Sequence, residues 1–132
     1  MGGVAIDSVK CQVSSKEPGY KKLRVWQAAD DFAMQVYRVT KPFPRDELFG
    51  LTSQLRRAAL SVPTNIVEGQ ASGSKKDFRR FLYIANASLV ESEYLLSVAW
   101  KLGYSDELTS HDLLIRKSTT AKLLRGLINS LR

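Results

Sequence analysis

Apolar residues recur along most of this chain at alternating intervals of three and four, the period of an α-helix with one face against a core. Val25, Ala29, Phe32, Val36 and Val39, broadened by Trp26, Ala33 and Tyr37, predict a first helix over about 23–40. Lys41-Pro42-Phe43-Pro44 must end it, because proline lacks an amide donor and turns the preceding residue toward extended angles. Arg45 to Gly50 reads as a short helical turn. Leu51, Leu55, Ala58, Val62 and Ile66 then predict a second helix over about 51–69, in which Pro63 removes the bond to the Ala59 carbonyl. Gly69 to Gly73 closes it, and Ser74 with Asp77 forms a capping pair for a third helix over about 75–102. Its seam reads Phe78, Phe81, Ala85, Ser88, Ser92, Leu95, Ala99 and Leu102, broadened by Leu82, Leu89 and Leu96. Gly103 is the stop, and Ser105 or Asp106 the cap of a fourth helix from about 106 to the end. Leu113, Thr120, Leu124, Leu127 and Leu131 carry that helix's core pattern, assisted by Leu108, Ile115, Leu123 and Ile128.

Four amphipathic helices with short connections, and no strand-like alternation, predict an all-α fold: an antiparallel up-down-up-down four-helix bundle. The bundle domain is expected over 21–132, preceded by a mobile tail over 1–20 that shows no sustained periodicity and ends in Pro18-Gly19. Trp26, Phe32, Phe78, Phe81 and Tyr94 fall at helical positions and read as core aromatics. Trp100 and Tyr104 read as a helix-end or subunit contact.

A second pattern is written over helix two. Gln54, Arg57, Ser61, Asn65 and Glu68 share one side of it, beside the apolar stripe. An ordinary solvent face would interchange Lys and Glu; this one mixes amide, guanidinium, hydroxyl and carboxylate groups that can bond one another or a partner. The structural expectation is a buried network in which Arg57 pairs with Glu68, or with Glu91 on helix three, while Ser61 and Asn65 serve backbone groups near Pro63. The functional expectation is a stripe facing a second subunit or a ligand.

At 132 residues, 44% hydrophobic and 25% charged, the chain has the composition of a soluble globular domain. The formal charge of +7 favours acidic partners such as nucleic acid, and also aids solubility. The lone cysteine, Cys11, cannot form an internal disulfide, which fits the cytoplasm. Neither a signal peptide nor a membrane-spanning stretch is legible, so no membrane partner is expected.

Charge concentrates at one place. Lys75, Lys76, Arg79 and Arg80 crowd the first turns of helix three, where the partial positive charge of the helix start disfavours cations by a few tenths of a kcal/mol each. A solvated face is one reading; a phosphate-contacting patch with Tyr83 beside it for stacking is the other. Lys75, Lys76, Arg79, Arg80 and Arg56 are accordingly the candidate nucleic-acid residues, without any helix-turn-helix, zinc-finger or RNA-binding sheet motif for sequence-specific reading.

Catalysis finds no comparable set. His111 is the single histidine, so the repeated Glu-x-x-His pairs of a di-iron bundle are missing, and its i, i+4 partner Glu107 reads as a surface pair. Cys11 has no base beside it, and Gly69-x-x-x-Gly73 lacks the Gly-Lys-Ser/Thr of a phosphate loop. No metal, cofactor, small-molecule substrate or enzymatic activity is expected.

The features Val25-Trp26, Phe43-Pro44, Gly50-Leu51-Thr52, Gln54, Arg56-Arg57, Ser61, Pro63, Asn65-Ile66, Glu68-Gly69, Phe81-Leu82, Ala85, Ser88 and Glu91 give the chain a family likeness. Over about 23–104 it resembles the four-helix-bundle proteins often encoded in intervening sequences of bacterial 23S ribosomal RNA genes. The resemblance implies a cytosolic bundle assembling into a ring of five, without established enzymatic activity. It is also similar to accessory proteins of diversity-generating retroelements, in which a basic pentamer contacts a reverse transcriptase and nucleic acid. The chain departs from the family where Gln70-Ala71-Ser72 replaces the basic residue often found after Glu-Gly, and in a longer segment before Tyr20.

Two functions follow as expectations: a homo-oligomeric accessory protein binding RNA, DNA or a nucleic-acid enzyme through its basic surface, and a structural or protein-binding scaffold whose charge is incidental.

Overall fold

The computed structural model describes residues 17–132. A 3₁₀ turn, Gly19–Lys22, leads into α1 (Arg24–Thr40); a second, Arg45–Glu47, leads into α2 (Leu51–Ala71), followed by α3 (Lys75–Lys101) and α4 (Glu107–Ser130). Most of the tail expected over 1–20 lies outside the described residues.

The capping chemistry places the helix starts. Ser74 Oγ accepts the Asp77 amide at 3.1 Å, and Asp106 accepts the Thr109 amide at 2.7 Å. The latter bond holds the Asp106 carboxyl below the usual aspartate range. At α2 the cap residue Gly50 offers no side chain, and Glu47 Oε1 accepts the Leu51 amide at 3.2 Å instead. The same carboxylate accepts the Tyr104 hydroxyl at 2.9 Å, which raises the tyrosine's pKa and ties the α1–α2 connection to the end of α3. Gly73 and Gly103, with φ of 86° and 78°, take the left-handed conformation that lets the chain leave α2 and α3.

Packing runs antiparallel around the bundle. Ser61 meets Ser88, and Gly69 faces Phe78 and Phe81, so α2 and α3 form a hairpin. Lys117 reaches Glu93 at 3.0 Å, and Arg79 donates to the Leu131 carbonyl at 2.7 Å, which reverses α4 on α3. Arg116 pairs with Asp112 and with Asp31 of α1, closing the ring of helices, and these bonds raise its pKa. The axis is filled by Phe32, Val36, Leu55, Val62, Ile66, Leu82, Leu89, Leu113 and Leu124. The buried hydroxyls of Thr40, Ser92 and Thr120 donate to carbonyls one turn earlier in their own helices, so they enter the core satisfied.

The seam of α3 is rotated from its expected position. Ala85, Ser92, Leu95 and Ala99 are buried as expected, but Leu82, Leu89 and Leu96 complete the buried line while Phe78, Phe81 and Ser88 are half-buried on the side toward α2. Gly69 of α2 faces Phe78 and Phe81, which fill the α2–α3 seam, and the leucines of the neighbouring line turn toward the axis. Tyr94, Leu102, Leu108 and Ile115, expected in the core, are exposed. They lie on outer flanks of α3 and α4, beyond the reach of any neighbouring helix among the described residues.

Candidate nucleic-acid interface

The polar stripe of α2 divides into a network and a free edge. Asn65 Nδ2 donates to the Ser61 carbonyl at 2.8 Å and to Ser61 Oγ at 2.9 Å, and Ser61 Oγ meets Ser88 Oγ at 2.8 Å. This half-buried node links α2 to α3 two residues before and after Pro63. Gln54, Arg57, Glu68 and Glu91 take no part: all four are exposed, and Arg57 makes no ion pair with either expected glutamate. Exposure is the physical reason, since a solvated guanidinium gains little from an equally solvated carboxylate.

The five candidate nucleic-acid residues divide in the same way. Arg56 Nε donates to Thr40 Oγ1 at 2.7 Å, a second guanidinium nitrogen approaches the Tyr37 carbonyl at 3.4 Å, and the group stacks 5.0 Å above the Tyr37 ring. It caps the C-terminal end of α1, where a cation complements the helix dipole. Arg79 does the same for α4 through the Leu131 carbonyl. This also answers the crowding of cations at the start of α3: the negative end of α4 lies beside it.

Lys75 and Lys76 are exposed and unpaired among the described residues. Arg80 sits 3.7 Å from Asp77, half solvated, and 4.5 Å over the Phe81 ring. Lys76, Arg79, Arg80, Tyr83, Ile84 and Ala87 line a shallow groove of about 460 Å³, with Tyr83 half-exposed along it. Cations and an aromatic ring are thus brought together along an open trough at the α3 start, with Lys75 and Arg56 outside its lining.

Two further grooves escaped the sequence. One, of about 350 Å³ between α3 and α4, is walled by Leu96, Trp100 and Leu114 with Glu93, Glu107 and His111 at its edges. The other, of about 520 Å³, lies at the start of α2 between Tyr37, Phe49, Arg56, Arg57 and Leu60. Phe49 is 94% exposed there. The available signal was a phenylalanine placed outside any helical period, between Pro44 and Gly50. Among the described residues no group of three His, Cys, Asp or Glu side chains is placed to hold a metal. No helix among them is long and apolar enough to cross a membrane.

The sequence profile of the 23S rRNA-intervening sequence protein family matches residues 21–126. The chain belongs to that family. The match takes in all of α1, α2 and α3 and most of α4, including both the α3 basic groove and the polar node. The fold agrees with the crystal structure of a protein of unknown function from the S23 ribosomal protein family of Bacteroides thetaiotaomicron. The two are 24% identical, with a TM-score of 0.74 over 80% of this chain and 95% of that one. No curated protein matches the chain.

Proposed function

We propose that this protein is a non-enzymatic, self-assembling cytoplasmic bundle, a pentamer by family likeness, that binds nucleic acid on the basic surface at the start of α3. The supporting observation is the set of exposed cations Lys75, Lys76 and Arg80 around the half-exposed Tyr83. Lys75 and Lys76, unpaired among the described residues, and the solvated Arg80, whose contacts are local to Asp77 and the Phe81 ring, can displace the counterions of phosphates, and an aromatic face offers a base a stacking surface. Repetition of the patch in an oligomer would multiply weak contacts through effective concentration. The surface carries no motif for reading bases, so its partner is RNA or DNA recognised by backbone charge, alone or held by an enzyme that works on it.

The test is fluorescence anisotropy of labelled RNA and DNA across a salt series, with Lys75, Lys76 and Arg80 replaced together by alanine. Arg79 is left in place because it caps α4. Binding should weaken steeply with salt, and the triple variant should lose both affinity and roughly one unit of log-log slope per phosphate contact removed. Absence of binding at low salt would sink this reading and favour a protein scaffold, for which the apolar groove beside Trp100 is the available surface.

A further inference from the structure

We propose that the groove at the start of α2 is a second contact for nucleic acid, specific for single strands, in which Phe49 stacks a base and Arg57 takes the adjoining phosphate. The inference rests on the nucleic-acid reading above and names its substrate class.

Phe49 is the most exposed large apolar side chain among the described residues, standing in the connection before α2. A ring so placed contributes nothing to the core and loses solvation free energy continuously, unless a flat partner covers it. The groove it borders carries two guanidinium groups and no carboxylate. Arg56 is fixed by α1, whereas the exposed Arg57 has no ion-pair partner among the described residues and is free to meet an anion. Thr52 lines the same groove; it is 3% exposed, and its hydroxyl is the one buried side-chain oxygen or nitrogen without a hydrogen-bond partner among the described residues. It leaves an unpaired donor beneath the groove floor.

An aromatic face next to an unpaired guanidinium, in an open trough, is the chemistry that holds an unstacked base and its phosphate. A duplex, whose bases already stack on one another, presents no face to Phe49. Placement supports one continuous strand. Arg57 lies four residues to one side of the Ser61–Ser88 contact and Arg80 eight residues to the other, on antiparallel helices. At 1.5 Å per residue the two arginines are about 18 Å apart along the bundle, a span within the site sizes of single-strand binders.

The experiment compares wild type, Phe49→Ala and Arg57→Ala for a labelled single-stranded oligonucleotide and for the same sequence as a duplex, by anisotropy across a salt series. Phe49→Ala should weaken single-strand binding about tenfold with its salt slope unchanged, because stacking releases no counterions, and should leave the duplex affinity unchanged. Arg57→Ala should lower the single-strand slope by about one unit. Thermal unfolding of both variants should match wild type, since neither side chain is buried. Wild-type single-strand affinity in Phe49→Ala, or an equal loss on duplex, overturns the inference while leaving the α3 surface standing, and an unaffected Phe49 would then assign the groove to an acidic protein partner. Failure of the wild-type protein to bind either form overturns both.

Discussion

Arg56 and Arg57 adjoin in the chain, and a rotation of 100° along α2 gives them opposite roles. Arg56 is held by Thr40 Oγ1, the Tyr37 carbonyl and the Tyr37 ring, all at the end of α1. Arg57 points to solvent. Removing a guanidinium that caps a neighbouring helix exposes carbonyls to an unfilled, half-buried space, so Arg56→Ala should destabilise the fold by about 1–3 kcal/mol. Arg57→Ala should stay within about 0.5 kcal/mol of wild type. Urea titration of the two variants checks the contrast. Equal midpoints would show that Arg56 is as solvated in solution as its neighbour. The sequence left Arg57 between a buried network and a partner-facing stripe, and put Arg56 on a ligand surface, because helical spacing assigns a residue to a face of its own helix. It cannot say how far the next helix extends alongside that face.

Along the helices themselves the boundaries were legible almost to the residue, but the period put Tyr94, Leu102, Leu108 and Ile115 in a core from which the fold excludes them. Pro42, Pro44, Gly50, Gly73 and Gly103 interrupt the chain where its apolar stripes pause, so backbone chemistry and burial pattern mark the same boundaries. The phase of α3 was less legible. Two apolar lines, one through Phe81 and Ser88 and one through Leu82 and Leu89, both fit the heptad, and only the neighbours decide which faces the axis. Gly69 is the residue that decides. A β-carbon there would lie 2.9 Å from both Phe78 Cδ1 and Phe81 Cβ, closer than such contacts are ever made. The hydrogen on Gly69 lets α2 and α3 approach until the phenylalanines fill their seam and the leucines turn inward. Gly69→Ala should therefore cost about 1–3 kcal/mol by overpacking, although alanine is the better helix former by about 1 kcal/mol. A lowered denaturant midpoint with unchanged slope is the expected result. A raised midpoint would mean that the seam yields and intrinsic helix propensity governs this position.

For the molecule as a whole, one surface remains that neither the core nor the basic groove explains. Val90 and Tyr94 stand four residues apart on the outside of α3, beyond the Tyr83 and Ala87 that line the basic groove, and both are more than half-exposed. Such a pair has the helical spacing of a packing face without a helix packed on it, and a second copy of the chain is the occupant that the oligomeric reading supplies. Sedimentation should then give a mass near five times the 14.8 kDa protomer if the proposed pentamer forms. Val90→Glu with Tyr94→Lys should reduce it toward 14.8 kDa without loss of cooperative unfolding, because both positions are exposed in the protomer. A single-protomer mass for the unaltered protein would refute the assembly. Salt separates this association from nucleic-acid binding. Each protomer carries a formal charge of +7, so copies repel, and screening that repulsion should leave the oligomer as stable or stabler in high salt. Phosphate binding must weaken under the same change, because the counterions released on binding enter a more concentrated bath. If oligomer and nucleic-acid complex instead dissociate together as salt rises, the contacts between protomers are ionic and the apolar pair on α3 is not what joins them.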